Sequence, residues 1–253
     1  MGFYSLSKEE RKTLVRKIDS EIFMGFTSGD IQYIIPYFSD RDTYIRKAGY
    51  LAVGKLNKGN HIAFHKIIGL LNHLLESKDE KIRQTTVNAA GELGKTNFEE
   101  VAHFFDMALF DDHHSVRNAV IGSIKKMGER NPKPVLTWAK KYLHHPNKEV
   151  RREICHGIEL RGRKYPQDIL PLLRSLQHDN TARVQKTLIH VIGQISYKKG
   201  CLKIVIEDLI SWDNPILVKK ALDEIVDVHH RYKSFAALSL KEATDFIERH
   251  YIR

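Results

Sequence analysis

The sequence predicts an all-α protein built as a solenoid of stacked helical hairpins. Three observations predict it: a fixed period, an apolar stripe that returns at that period, and capping residues ahead of each stripe. The period is marked by Ile45, Ile82, Val116, Val150, Val184 and Val218, spaced 37, 34, 34, 34 and 34 residues apart. A repeat of this length is the mark of helical hairpins that cannot bury their apolar faces alone and must lean on their neighbours. Because such a stack grows linearly, residues 1–253 are read as a single repeat domain of about six hairpins with capping helices at both ends.

Aligned on the periodic residue, the second helices read YIRKAGYLAVGKL, KIRQTTVNAAGELG, SVRNAVIGSIKKMG, EVRREICHGIELRG, RVQKTLIHVIGQIS and LVKKALDEIVDVHH. Counted from the anchor, positions +4, +8 and +11 are mostly apolar, as in Val116, Val120, Ile124 and Met127. That spacing puts them on one side of a helix. Asp40, Asp79, Asp112 and Asp179 stand shortly before these helices, where a carboxylate can accept the orphan N–H groups of a first turn. Apolar first helices precede them, among them HIAFHKIIGLLNHLL from His61, VAHFFDMALF and DILPLLRSL. Ser7 with Glu10 forms a capping box for an extra N-terminal helix, and LSLKEATDFIERHY closes the stack.

Composition narrows the function. Apolar residues at 42% and charged residues at 28% exclude bulk disorder. The chain has no apolar run near the roughly 20 residues that span a bilayer, its MGFYSLSKEERK start is too charged for a secretory signal, and Leu6 breaks the myristoylation pattern after Met1 and Gly2. A cytoplasmic protein without a membrane partner is expected. Cys155 and Cys201 are too few and too far apart for a disulfide framework or a zinc site, and the paired histidines, such as His144 and His145, point to different sides of a helix. No metal or cofactor is assigned.

The formal charge of +10 is unevenly placed. Residues 1–100 hold 15 Lys+Arg against 13 Asp+Glu, a net of +2, whereas residues 124–199 hold 17 against 6, a net of +11. A basic block in neighbouring repeats is the footprint of a polyanion, whose binding releases condensed counterions. DNA, whether duplex, damaged or branched, is therefore the expected partner, with an acidic protein as the alternative. Positions +2, +6 and +10 of the second helices share a face opposite the apolar stripe. In the basic repeats that face carries Lys126, Arg152, His156, Lys186, His190 and Gln194, with Arg151 and Arg161 beside it.

Residues 138–196 carry a more specific pattern. His145, Pro146, Asn147, Val150, Arg151, Arg152, Gly157 and Arg161, followed by Val184 and Ile195 at matching spacing, resemble the motifs of the HEAT-like repeat alkylpurine DNA glycosylases. The resemblance implies an all-α HEAT-like solenoid that holds duplex DNA in a groove and removes cationic alkylated bases. It implies a carboxylate that offsets the developing oxocarbenium charge and aromatic rings that face the nucleoside. Carried over position by position, the catalytic aspartate falls on Gln194, the glutamate of the second motif on His156, and the tryptophan ahead of His-Pro-Asn on Tyr142, one turn after Trp138. An amide cannot carry the charge, so DNA binding without base excision is the expected function. An active alkylpurine glycosylase using Glu92 or Glu159 as its acid is one alternative, and a HEAT-repeat protein–protein adaptor is another.

Overall fold

The computed structural model describes residues 2–59 and 62–251; Met1 and His61, which entered the sequence reading, lie outside the described residues. Among the described residues all regular structure is helical, without a strand. The chain divides into two compact units, residues 1–123 and 124–253.

The first unit begins with α1 (Lys8–Ser28), whose Ser7–Glu10 capping box is formed, and ends it at Gly29, where φ is 79°. A side chain at that position would strain the backbone, so glycine closes the helix. Next come α2 (Ile35–Phe38), α3 (Thr43–Gly59), α4 (Phe64–Leu75), α5 (Glu80–Leu93), α6 (Phe98–Ala108) and α7 (His114–Arg130), the last reaching the unit boundary at Ser123. Second helix α3 packs between α1 and α5.

The second unit continues through α8 (Pro132–Tyr142), α9 (Lys148–Gly157), α10 (Glu159–Gly162), α11 (Pro166–Arg174), α12 (Ala182–Ser196), α13 (Cys201–Leu209), α14 (Pro215–Arg231) and α15 (Leu240–His250). Here α12 packs between α9 and α14. The expected stripe is the core: Val184, Leu188, Ile192 and Ile195 are fully buried. Cys155 and Cys201 are buried free thiols. Among the described residues no helix is long and apolar enough to cross a membrane.

Two local expectations are corrected. The second helix around Val150 is not continuous: Ile158, with ψ near zero at −4°, separates α9 from α10. In the preceding repeat Asp111, rather than Asp112, accepts the N–H of His113. Asp79 caps α5 as expected, accepting from Lys81, while Asp40 and Asp179 accept from Asp42 and Thr181 in the turns just ahead of α3 and α12.

One device recurs in every repeat that has an arginine after the anchor. Arg46, Arg83, Arg117 and Arg151 each turn Nη1 back onto two loop carbonyls, Arg151 reaching His145 O at 2.8 Å and Pro146 O at 2.9 Å. These carbonyls belong to the turn between the two helices of a hairpin, so the arginine pins the hairpin shut. Arg83 and Arg151 also bind the aspartate one repeat ahead, Asp111 at 2.7 Å and Asp179 at 2.6 Å.

Candidate functional site

The candidate surface lies in the second unit. Residues 1–123 hold 16 Lys+Arg against 16 Asp+Glu, so the whole net charge of +10 comes from residues 124–253, with 25 against 15. The neighbouring helices α9, α12 and α14 place equivalent positions side by side. At +2 stand Arg152, Lys186 and Lys220; at +6 stand His156, His190 and Glu224, each 34 residues from the next. The imidazoles of His156 and His190 meet edge to face with centroids 5.9 Å apart, and His190 Nδ1 lies 3.8 Å from Glu224 Oε1. Lys186, His190, Lys220, Glu224 and Arg231 surround a pocket of about 440 Å³. Lys186 and Lys220 are exposed. Burial pushes His190 below its ordinary pKa, and the neighbouring His156 and Lys125 act in the same direction against Glu159 and Glu224.

Beneath the histidines sits a buried charge. The break at Ile158 rotates Glu159 inward, where its side chain is 1% exposed. Its Oε2 lies 3.1 Å from Lys125 Nζ and 3.1 Å from His156 Nε2, and its Oε1 lies 2.5 Å from Arg163 Nη2. Burial opposes ionisation, but the His156 hydrogen bond and the charges of Lys125 and Arg163 outweigh it and hold the carboxyl at about 2. Arg163 also donates to Gln194 Oε1 at 2.8 Å.

The remaining expected site residues are placed as follows. Gln194 is 3% exposed, and its Nε2 has no hydrogen-bond partner among the described residues. Trp138 is 3% exposed with its ring 5.0 Å from that of half-buried Tyr142, so packing takes the indole that was expected to face a ligand. Arg151 belongs to the hairpin-pinning device described above rather than to the strip. Arg152 is held by Glu149 at 2.9 Å and Glu153 at 3.3 Å, and Arg161 by Asp168 and the face of Tyr165. Lys126 is half-buried. Glu92 lies in the first unit with its side chain 8% exposed, paired with Lys95.

Sequence reasoning missed the convergence of His156, Glu159 and His190, whose donor atoms lie within 4.8 Å of one another. Its signal was present: a His-x-x-Glu step and a second histidine one repeat later. Three such donors are a possible ligand set for a divalent ion. Lys125 Nζ, 2.9 Å from His156 Nε2 and 3.1 Å from Glu159 Oε2, lies against two of them, and the ammonium already supplies the positive charge that the carboxylate needs.

Among solved structures, AlkD2 from Streptococcus mutans is 17% identical, with 81% of this chain covering 97% of that one at a TM-score of 0.54. A second, smu.31 from Streptococcus mutans UA159, is 16% identical over the same shares at 0.52. The chain has the AlkD-type HEAT-like repeat fold. The same repeat architecture gives a match to the MAST/Orbit N-terminal domain, 17% identical, covering 76% of this chain and 96% of that one at 0.51. Comparison with protein-family models and with curated protein sequences finds no match. Within this AlkD-type fold, the position assigned to the catalytic acid by the motif resemblance is the amide of Gln194, turned into the protein.

Proposed function

We propose that this AlkD-type HEAT-like protein binds DNA through the α9–α12–α14 face of its second unit and does not excise bases. The observation that carries the reading is the pair of exposed lysines, Lys186 and Lys220, at equivalent positions on adjacent helices, beside His190 and within the unit that holds all the net charge. Cations spaced along parallel helices suit successive phosphates, which position a duplex without reading its sequence. Three features support the absence of excision. Gln194 is neutral and buried. Glu159 is ionised but fully engaged by Lys125, His156 and Arg163, so it has no free charge to offer a developing cation. Trp138 is buried in its own helix packing.

The test is a gel-shift series with intact, nicked and branched DNA at two salt concentrations. Replacing Lys186 and Lys220 together by Ala weakens binding to all sequences alike and flattens the salt slope by roughly 2, since each phosphate contact on duplex contributes about 0.9. Unchanged binding removes this face from the proposal. Weak, salt-insensitive DNA affinity favours an acidic protein partner instead. Robust release of N3- or N7-methylpurine by the native protein overturns the non-excising part.

A further inference from the structure

The N-terminal end of the first unit carries a second surface with different chemistry. Lys8, Arg11, Lys12, Val15 and Arg16 stand at i, i+3, i+4, i+7 and i+8 and form one stripe on the opening turns of α1. These are the positions where a helix packed on a core carries apolar residues, and four of the five are cations. Against the stripe stands an aromatic cluster. Tyr4 and Tyr44 meet edge to face with centroids 4.4 Å apart, Phe3 lies 5.6 Å from Tyr4, and the Arg11 guanidinium carbon is 5.2 Å from the Tyr4 ring centre.

The cluster is held in place and left open. Asp42 accepts the backbone N–H of Phe3 at 2.5 Å and that of Tyr44 at 2.8 Å, so one carboxylate positions two of the three rings. Those hydrogen bonds, Phe3's foremost, hold Asp42 below its ordinary pKa. Yet Tyr4 is 62% exposed and Tyr44 43% exposed. A pocket of about 460 Å³ opens between Tyr4 and the cationic stripe, and another of about 210 Å³ lies on the side of Tyr44, Lys47 and Lys55. Among the described residues no acidic side chain lines either pocket. Lys12 and Lys55 are engaged by Glu9 and Asp19, whereas Lys8, Arg11, Arg16 and Lys47 have no carboxylate partner among the described residues.

We infer that this surface is a stacking platform for single-stranded nucleic acid: an unpaired base lies against the Tyr4 and Tyr44 rings while the flanking phosphates meet Lys8, Arg11, Arg16 and Lys47. Exposed aromatic rings bordered by cations are the combination that binds single strands with little sequence preference, because every base has a π-face. An anionic membrane fits less well. Insertion into a lipid interface needs an apolar helix face, and this stripe of α1 has one valine among four cations. The inference stands on a different surface from the duplex-binding proposal, and its failure is distinguishable from the failure of that proposal.

The experiment measures fluorescence anisotropy of a labelled 12-nucleotide oligothymidylate and of an equally long abasic deoxyribose-phosphate strand. The full chain is compared with Tyr4→Ala, Tyr4→Phe, Arg11→Gln with Arg16→Gln, and Lys186→Ala with Lys220→Ala. Stacking is worth about five- to 150-fold per base, so Tyr4→Ala loses at least threefold on oligothymidylate and less than threefold on the abasic strand, with Tyr4→Phe restoring the native value. The double arginine variant lowers the salt slope by roughly 1.4, about 0.7 for each phosphate on a single strand. A loss below threefold for Tyr4→Ala, or an equal loss on both strands, overturns the platform. So does an oligothymidylate affinity that disappears in the Lys186 and Lys220 variant while Tyr4→Ala leaves it unchanged. Anionic phosphatidylserine vesicles that bind through Tyr4 when oligothymidylate does not would assign the surface to lipid.

Discussion

Glu159→Gln is expected to destabilise the second unit in a way that fades with acid. At neutral pH the native carboxylate is ionised and bound by Lys125, His156 and Arg163. The amide keeps the shape but leaves two half-buried cations without their counter-charge, a loss of at most about 3 to 5 kcal/mol, the figure for a broken fully buried pair. Linkage gives an independent magnitude. The ordinary value is 4.5 and the folded value about 2, so ionisation contributes about 3 kcal/mol at pH 7. Because the folded value is depressed, this contribution is complete above 4.5 and is lost as the pH falls from there through 2. At pH 3 roughly 1.5 kcal/mol remains, so the gap between native protein and variant narrows by about 2 kcal/mol between pH 7 and pH 3. Urea denaturation followed by tryptophan fluorescence reads the second unit specifically, because both tryptophans, Trp138 and Trp212, are buried there. The comparison with the variant removes the acid sensitivity of other carboxylates held below their ordinary values, such as Asp111 and Asp179. A gap that stays constant from pH 7 to pH 3 would refute the assignment of Glu159 as the buried counter-ion.

Three further substitutions test the packing and the division of labour among cations. Ile124→Ala, at a fully buried position, should cost about 2 to 4 kcal/mol in the same urea assay; below about 0.5 kcal/mol the repeat register is wrong. Gly162→Ala would place a methyl 2.8 Å from Ile169 Cγ1 and 2.9 Å from Ile195 Cγ2, so overpacking should lower stability by about 1 to 3 kcal/mol with no cavity formed. Arg151→Gln should lower stability by about 3 kcal/mol, since it strips the Asp179 pair and the hairpin carbonyls together, while changing duplex affinity less than twofold at a temperature where the variant is folded. A large affinity loss with unchanged stability would return Arg151 to the DNA-binding strip.

The amino-acid sequence by itself determined the period, the helices and the half of the chain that carries the charge. All three are local or additive: an apolar residue every third or fourth position defines a buried stripe within one helix, and charge is a sum. Hence Val184, Leu188, Ile192 and Ile195 were legible as core, and the caps at Ser7 and Asp79 as helix starts. Tertiary structure decided how each polar residue is used. Arg151 and Lys186 are both cations in one basic block, but Arg151 has Asp179 and two carbonyls within reach and Lys186 has solvent. A one-residue break at Ile158 buries Glu159, which a continuous helix would leave beside the polar face, and the arginine that answers it also captures Gln194. Tyr4 and Tyr44 are 40 residues apart in sequence and become one surface only because the Asp42 carboxylate holds the backbone at both Phe3 and Tyr44. Pairing depends on which group stands within about 3 Å, and that distance is set by neighbouring hairpins rather than by the segment itself.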